Sequence, residues 1–187
     1  MIKSFMALLA GLTFSGAVMA ADIVEGQDYQ VVDEPMKTDV PADQIAVTEV
    51  FWYGCPHCYA LEEPLNEWVA QLPDDVTFDR MAAPLGKVWE QHATAFYAAE
   101  QLGIEEKLRQ DFFDAIHKDG QRLTDKDDIA EFFTNYGVSK DEALKALDSF
   151  GVKSEIQQAS AKMRGYKLMG VPDLIVDGRY VVTPDSA

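Results

Sequence analysis

The chain contains two cysteines, Cys55 and Cys58, separated by Pro56 and His57. A C-x-x-C pair has three chemical uses: a redox dithiol, a short structural disulfide, or half of a metal site. Closing so small a loop constrains the unfolded chain little, which weakens the structural use. A zinc site needs about four ligands. There is no second cysteine pair, and the other histidines, His92 and His117, lie far downstream. The flanking residues favour the redox use. Glu49 to Tyr53 is an apolar run around one acid, and Leu61, Leu65, Trp68 and Leu72 recur at helical spacing after the pair. The cysteines therefore fall where a strand passes into a helix, the setting expected of a redox dithiol.

That setting carries chemical consequences. At a helix N-terminus Cys55 meets unpaired backbone N–H groups and the positive end of the helix dipole, so its thiolate is stabilised. Pro56 suits the first helical position, where a missing N–H costs nothing. A protonated His57 adds positive charge beside the sulfur; the plain alternative is a solvated helix-terminal histidine. The expected reaction is thiol–disulfide exchange through a mixed disulfide. A substrate thiolate attacks Cys55, expected to be the exposed sulfur, and Cys58, one turn inward, leaves and later re-forms the bond. Stabilising the Cys55 thiolate stabilises the dithiol, which makes the disulfide an oxidant. Glu49 lies among apolar strand residues. Buried there, its carboxyl has a raised pKa and can exchange protons with Cys58; at a frayed strand edge it is an ordinary carboxylate.

The elements that hold these residues can be read along the chain. Lys3, the apolar run Phe5 to Phe14 and the small-residue site Val18-Met19-Ala20 predict a signal peptide over residues 1–20, cleaved after Ala20. Ser4, Gly11, Thr13, Ser15 and Gly16 dilute this run too far for a membrane span. Export places the cysteines in an oxidising compartment. Tyr29 to Val32 predicts a short first strand, and Pro35 and Pro41 bracket a loop. Ile45 to Trp52, rich in β-branched and aromatic residues with little alternation, predicts a central strand buried on both faces. The helix from Pro56 is expected to kink at Pro64 and end by Pro73-Asp74-Asp75, before a strand over Val76 to Met81.

Residues 84–165 then read as about five short helices without strands. Their faces are marked by Val88, His92 and Phe96, by Leu108, Phe112 and Ile116, by Ile129 and Phe133, by Leu144, Leu147 and Phe150, and by Ile156, Ala159 and Met163. Thr124 is the expected cap of the third, and Ser139 with Glu142 forms a capping box for the fourth. Leu174 to Val176 and Arg179 to Val182 flank Asp177-Gly178 as a hairpin. Thr183-Pro184-Asp185-Ser186 has the form of a helix cap, so a C-terminal helix is expected to be missing. The expected fold class is α/β, a mixed sheet from residues 21–83 and 166–187 with an all-helical insertion over 84–165. The chain has 187 residues, 48% of them hydrophobic, enough for one sizeable core. Its formal net charge of −16 argues against a nucleic-acid partner, which needs a basic surface.

Cys55-Pro56-His57-Cys58-Tyr59 followed by Glu62-Glu63, with Gly170-Val171-Pro172 far downstream, makes the mature chain resemble the DsbA family of bacterial periplasmic thiol:disulfide oxidoreductases. The resemblance implies a thioredoxin-like sheet domain with a helical insertion, Cys55 as nucleophile and Cys58 as buried partner. It implies that Pro172 is a cis-proline facing the disulfide, which the sequence alone does not indicate, and that Val171 offers backbone hydrogen bonds to an extended substrate. Glu49 falls at the family's buried acid. Glu62 and Arg80 look like the charged pair near the site, with Arg80 where the family commonly has lysine. The implied function is to introduce disulfides into newly exported periplasmic proteins, unfolded chains with free cysteines. Re-oxidation would come from a membrane quinone-linked oxidase of the DsbB type. No organic cofactor or metal is expected, and a monomer is. Stopping at Ala187 departs from the family, which continues with a long helix. The alternatives are a disulfide isomerase or reductase on the same fold, a periplasmic metal-binding protein using Cys55, His57 and Cys58, and a peptide-binding chaperone with an incidental disulfide.

Overall fold

A computed structural model of the protein describes residues 23–184. The expected signal peptide, and Asp185 and Ser186 of the expected C-terminal cap, lie outside these residues. Among the described residues, no helix is long and apolar enough to cross a membrane. The strands are β1 (Gln30–Val31), β2 (Ile45–Phe51), β3 (Val76–Ala82), β4 (Asp173–Val176) and β5 (Tyr180–Val182). They form one mixed sheet in the order β1-β5-β4-β2-β3. The β2–β3 pair is parallel and the other pairs are antiparallel. Helix α1 (Pro56–Val69) connects the two parallel strands, as a parallel pair requires a long crossover.

Strand β2 lies between β3 and β4, and its run from Glu49 to Phe51 is buried. Both faces are covered, which explains why its sequence lacks alternation. Between β3 and β4 come five helices, α2 (Lys87–Gln101), α3 (Glu105–His117), α4 (Lys126–Thr134), α5 (Lys140–Leu147) and α6 (Phe150–Gly165). Phe51, at the end of β2, packs edge-on against Phe96 of α2 at 5.2 Å between ring centroids and tilted against Phe113 of α3 at 6.1 Å. The core is thus continuous from sheet to helices.

Local expectations are met in most places and shifted in three. Helix α1 ends at Val69, before Pro73, and contains Pro64. Pro64 and Ala60, whose carbonyl it leaves without an N–H donor, are both exposed, where water can serve instead. Helix α4 is capped by Asp125, not Thr124: the Asp125 carboxylate accepts the Asp127 N–H at 2.9 Å, and aspartate caps at least as well as threonine. The Ser139–Glu142 capping box is present. Phe150 does not join the buried face of α5, because Ser149 caps a new helix and leaves Phe150 in its first turn, 86% exposed. In the β4–β5 hairpin the register pairs Val176 with Tyr180, so Arg179 joins the loop. Asp177 and Gly178 there have φ values of 53° and 60°. The Asp177 carboxylate and N–H also bond the N–H and carbonyl of Ala46 on β2, at 3.0 and 2.8 Å, which fastens the loop to the sheet.

Candidate active site

The cysteines sit where β2 gives way to α1. Cys55 caps α1 in an extended conformation, Pro56 takes the first helical position, and the Cys58 N–H points at the Cys55 Sγ, 3.4 Å away. Ahead of the cap, the Cys55 N–H bonds the Trp52 carbonyl at 2.9 Å. Gly54 is required here by close approach: a Cβ would lie 2.3 Å from Cζ2 of Trp52. That ring is stacked on Trp89 at 4.2 Å between centroids. On the other side His117 Nε2 lies 2.8 Å from the Tyr53 carbonyl, and its ring stacks on Tyr59 at 4.7 Å. The turn is therefore held by α1, α2 and α3 together.

The sulfurs are both free thiols here and occupy different environments. Cys58 is fully buried, while Cys55 keeps 7% of its surface open. Cys55 is less exposed than expected because the segment before Pro172 folds over it, and its thiol lies 3.6 Å from the Val171 carbonyl as donor. The Cys55 pKa is lowered to about 6. The hydrogen bond from the Cys58 thiol does most of this against the opposing effect of burial, followed by the backbone N–H groups of Cys58 and His57 and the charge of His57. The same bond pushes Cys58 up, helped by burial and by the nearby charges of Cys55 and Glu49. His57 itself is exposed, which accounts for the small share of its charge.

Across from the cysteines the Val171–Pro172 peptide bond is cis. Pro172 is buried and Val171 half-buried. Beside them runs a groove of about 980 Å³ lined by His57, Leu61, Pro64, Met169, Val171 and Pro172, among others. Asp173, next in the chain, is buried and accepts a hydrogen bond from Thr183 at 2.5 Å; burial raises its pKa.

Glu49 is fully buried in the middle of the sheet, not at an edge. Its Oε2 receives Arg80 Nε at 3.0 Å and Arg109 Nη2 at 3.1 Å, while Oε1 has no hydrogen-bond partner. Burial raises its pKa, and Arg109 and then Arg80 oppose that rise. Glu62 and Arg80 lie 3.6 Å apart, while Arg109 Nε reaches Glu62 Oε1 at 2.7 Å. Arg80 bonds Asn66 Oδ1 at 2.6 Å. Arg109 Nη1 completes the cluster on Glu105 Oε1 at 3.1 Å, and the Tyr53 hydroxyl donates to that same oxygen at 2.9 Å. Among the described residues no group of three or more histidine, cysteine and carboxylate side chains is arranged to hold a metal ion.

Residues 84–186 match the family described as a DSBA-like thioredoxin domain. A thiol:disulfide interchange protein DsbA of Pseudomonas syringae pv. tomato is 43% identical over 175 residues, covering 93% of this chain and 81% of that protein. This chain belongs to the DsbA family. The thiol:disulfide interchange protein DsbA of Azotobacter vinelandii is 42% identical over 183 residues, covering 93% of this chain and 84% of that one. The crystal structure of Pseudomonas aeruginosa DsbA aligns with a TM-score of 0.82 at 35% identity, over 87% of this chain and 84% of that one. The oxidoreductase DsbA of Xylella fastidiosa gives 0.82 at 33% identity, over 87% and 89%. The thioredoxin-like α/β fold expected from the sequence is the DsbA fold.

Within this DsbA-family site, Arg109 is the residue that sequence reasoning passed over. It lies three and four residues before the buried Phe112 and Phe113, but an arginine is almost never fully buried unless paired, so its residue type assigns it to the helix surface. The available signal was Glu105 four residues earlier, an i,i+4 acid–base pair. Such pairs are common on exposed helix faces, and what sets this one apart is its spacing to Phe112 and Phe113 on the buried side of α3.

Proposed function

We propose that this chain is a thiol:disulfide interchange oxidant that introduces disulfide bonds into other proteins through a Cys55–Cys58 redox disulfide. One observation carries the reading: Cys55 is held down to about 6 while Cys58, three residues on, is pushed up. At neutral pH the reduced pair is then a thiolate beside a thiol, a state stabilised relative to two ordinary cysteines. Stabilising the reduced form makes the disulfide more oxidising, by about 30 mV for each ~1.4 kcal/mol.

The exchange balances as follows. A substrate thiolate attacks the Cys55 sulfur, a substrate–Cys55 bond forms, and the Cys55–Cys58 bond breaks. Cys58 leaves as a thiolate and takes a proton, for which Glu49 is the donor. A second substrate thiolate then attacks the substrate sulfur of the mixed disulfide, and Cys55 leaves as a stable thiolate. The substrate has lost two electrons and the protein has gained them. Cys55 is the nucleophile in the reverse direction and Cys58 the resolving partner, with Pro56 and His57 supporting the Cys55 thiolate. Glu62 and Arg80 tune the charge around Glu49. Val171 and Pro172, with the groove beside them, receive an extended segment of the substrate.

The substrates proposed are newly exported, unfolded periplasmic proteins with free cysteines. The protein is secreted to the periplasm with cleavage after Ala20, acts as a monomer and is re-oxidised by a membrane quinone oxidoreductase of the DsbB type. Residues 21–83 and 166–187 form the catalytic sheet domain and 84–165 its helical insertion. The exchange passes electrons from sulfur to sulfur, so it requires no cofactor.

The test pairs a glutathione redox equilibrium with the pH dependence of Cys55 alkylation by iodoacetamide. The alkylation midpoint is expected near 6, with an equilibrium favouring the dithiol. A midpoint near the free-cysteine value of about 8.5 overturns the oxidant reading.

A further inference from the structure

Arg109 has a guanidinium that is buried without being left over from folding. It is 4% exposed and lies 4.1 Å over the Phe51 ring and 5.3 Å over the Phe113 ring. Each of its three nitrogens meets a different carboxylate: Nη2 on Glu49, Nε on Glu62 and Nη1 on Glu105. A charge buried this deeply is tolerated only when paired and hydrogen-bonded. Arg80 shares the Glu49 oxygen, but it lies nearer the surface, with 17% of its side chain exposed, and divides its donors with Asn66. Both arginines take Oε2 of Glu49, and Oε1 stays buried and unbonded.

We propose that Arg109 is a positioning residue for this chemistry, clamping Glu49 by Oε2 so that the carboxyl is ionised in the reduced protein, with Oε1 left open to receive the Cys58 proton during re-oxidation and to return it when substrate is oxidised. The inference rests on the oxidant reading above and adds a residue to it. The groups that act on Glu49 come from every neighbouring element. Helix α1 supplies Glu62 and Cys58, and β3 supplies Arg80. Helix α3 supplies Arg109 with Glu105 behind it, Tyr53 lies beyond the end of β2, and β4 places Asp173 opposite Val50. Among them Arg109 is the strongest charge opposing the effect of burial on Glu49. Without it Glu49 and Glu62 share Arg80 alone, Glu105 keeps only the Tyr53 hydroxyl, and Glu49 takes up a proton. A protonated Glu49 cannot accept another from Cys58.

The step affected is the second half of re-oxidation. Glutathione disulfide serves as the oxidant, and Cys55 first exchanges with it to give a Cys55–glutathione mixed disulfide. Cys58 then loses its proton to Glu49, attacks the Cys55 sulfur and forms the Cys55–Cys58 bond. Glutathione leaves as a thiolate and is protonated by solvent. The experiment measures the rate of this second glutathione release from pH 5 to 9 in the full protein, in Arg109→Met and in Arg109→Lys. Arg109→Met is expected to slow release at least tenfold at pH 7 and to move the pH midpoint upward by a unit or more. Arg109→Lys, which keeps the charge, is expected to recover the midpoint. An Arg109→Met profile with an unchanged midpoint overturns the inference, whatever the variant does to thermal stability. If Arg109→Met does not fold, the titration of the Glu49 carboxyl in the reduced wild type decides, followed by carbon NMR and assigned with Glu49→Gln. An ionised Glu49 at pH 7 supports the clamp and a protonated one overturns it. A wild type that never forms or never resolves the mixed disulfide defeats the oxidant reading itself, whereas a competent wild type with an insensitive Arg109→Met defeats only this inference.

Discussion

Cys55 and Cys58 share one turn of helix and one hydrogen bond, yet their acidities diverge because that bond is directional. Donating stabilises the Cys55 thiolate and holds the proton on Cys58. Backbone N–H groups at the helix start reinforce the difference, and complete burial of Cys58 enlarges it. In the reduced protein the folded pKa of Cys55 lies below its unfolded value, so the stabilisation is fully present above the unfolded pKa and is lost as pH falls through about 6. Cys55 does not titrate in the oxidised protein. The thermal midpoint of the reduced form is therefore expected to fall relative to the oxidised form as pH is lowered from about 8.5 to about 6, the span between the two Cys55 values. Calorimetry of both forms across that range measures it. A difference that stays flat removes the electrostatic account of the site.

At the scale of elements, the site depends on how tightly the segment between β2 and α1 is gripped. Trp52 stacks on Trp89 of α2 and lies 5.9 Å from the His92 ring, and these contacts hold its indole against the turn. Gly54 fits under that indole because it lacks a Cβ. Gly54→Ala is expected to destabilise the oxidised protein by about 1–3 kcal/mol, the usual cost of forcing extra volume into a packed site. Urea unfolding of the oxidised protein gives the value, and a change under about 0.5 kcal/mol, the scale of an ordinary surface substitution, contradicts the packing argument. The same grip passes through α3, whose His117 meets the Tyr53 carbonyl and whose Arg109 reaches Glu49. Helix α3 thus touches the site from two places without contributing a reacting atom.

At the scale of the whole molecule, sheet and helices share one core. Phe113 of α3 is fully buried and meets Phe51 of β2, Tyr53 beyond that strand and Tyr59 of α1. Phe113→Ala is expected to cost about 3–5 kcal/mol, as for other large aromatic truncations in a core. Because the lost contacts join both layers, the near- and far-ultraviolet dichroism transitions are expected to shift together, as in a two-state domain. Separate transitions would show that the helices and the sheet unfold independently. The net charge of −16 acts on this scale too. It supports solubility and repels nucleic acid, and it leaves the redox chemistry to local geometry.

What residues close along the chain can encode is legible without the fold. Two cysteines two residues apart, an unalternating apolar strand before them, a helical repeat after them, a Ser139–Glu142 cap and an Asp177-Gly178 turn each act over a few residues, so each was legible and led to the DsbA family. Tertiary structure alone decided how deeply Cys55 is covered, since the carbonyl over it comes from Val171, 116 residues away. It also decided that Phe150 faces solvent, because one serine cap starts a new helix there. Arg109 is the clearest case. Sixty residues separate it from Glu49, and of the acids that hold it only Glu105 is local. Burying three carboxylates in one core is what draws a guanidinium inward, and that requirement exists only once the sheet and α3 have packed together.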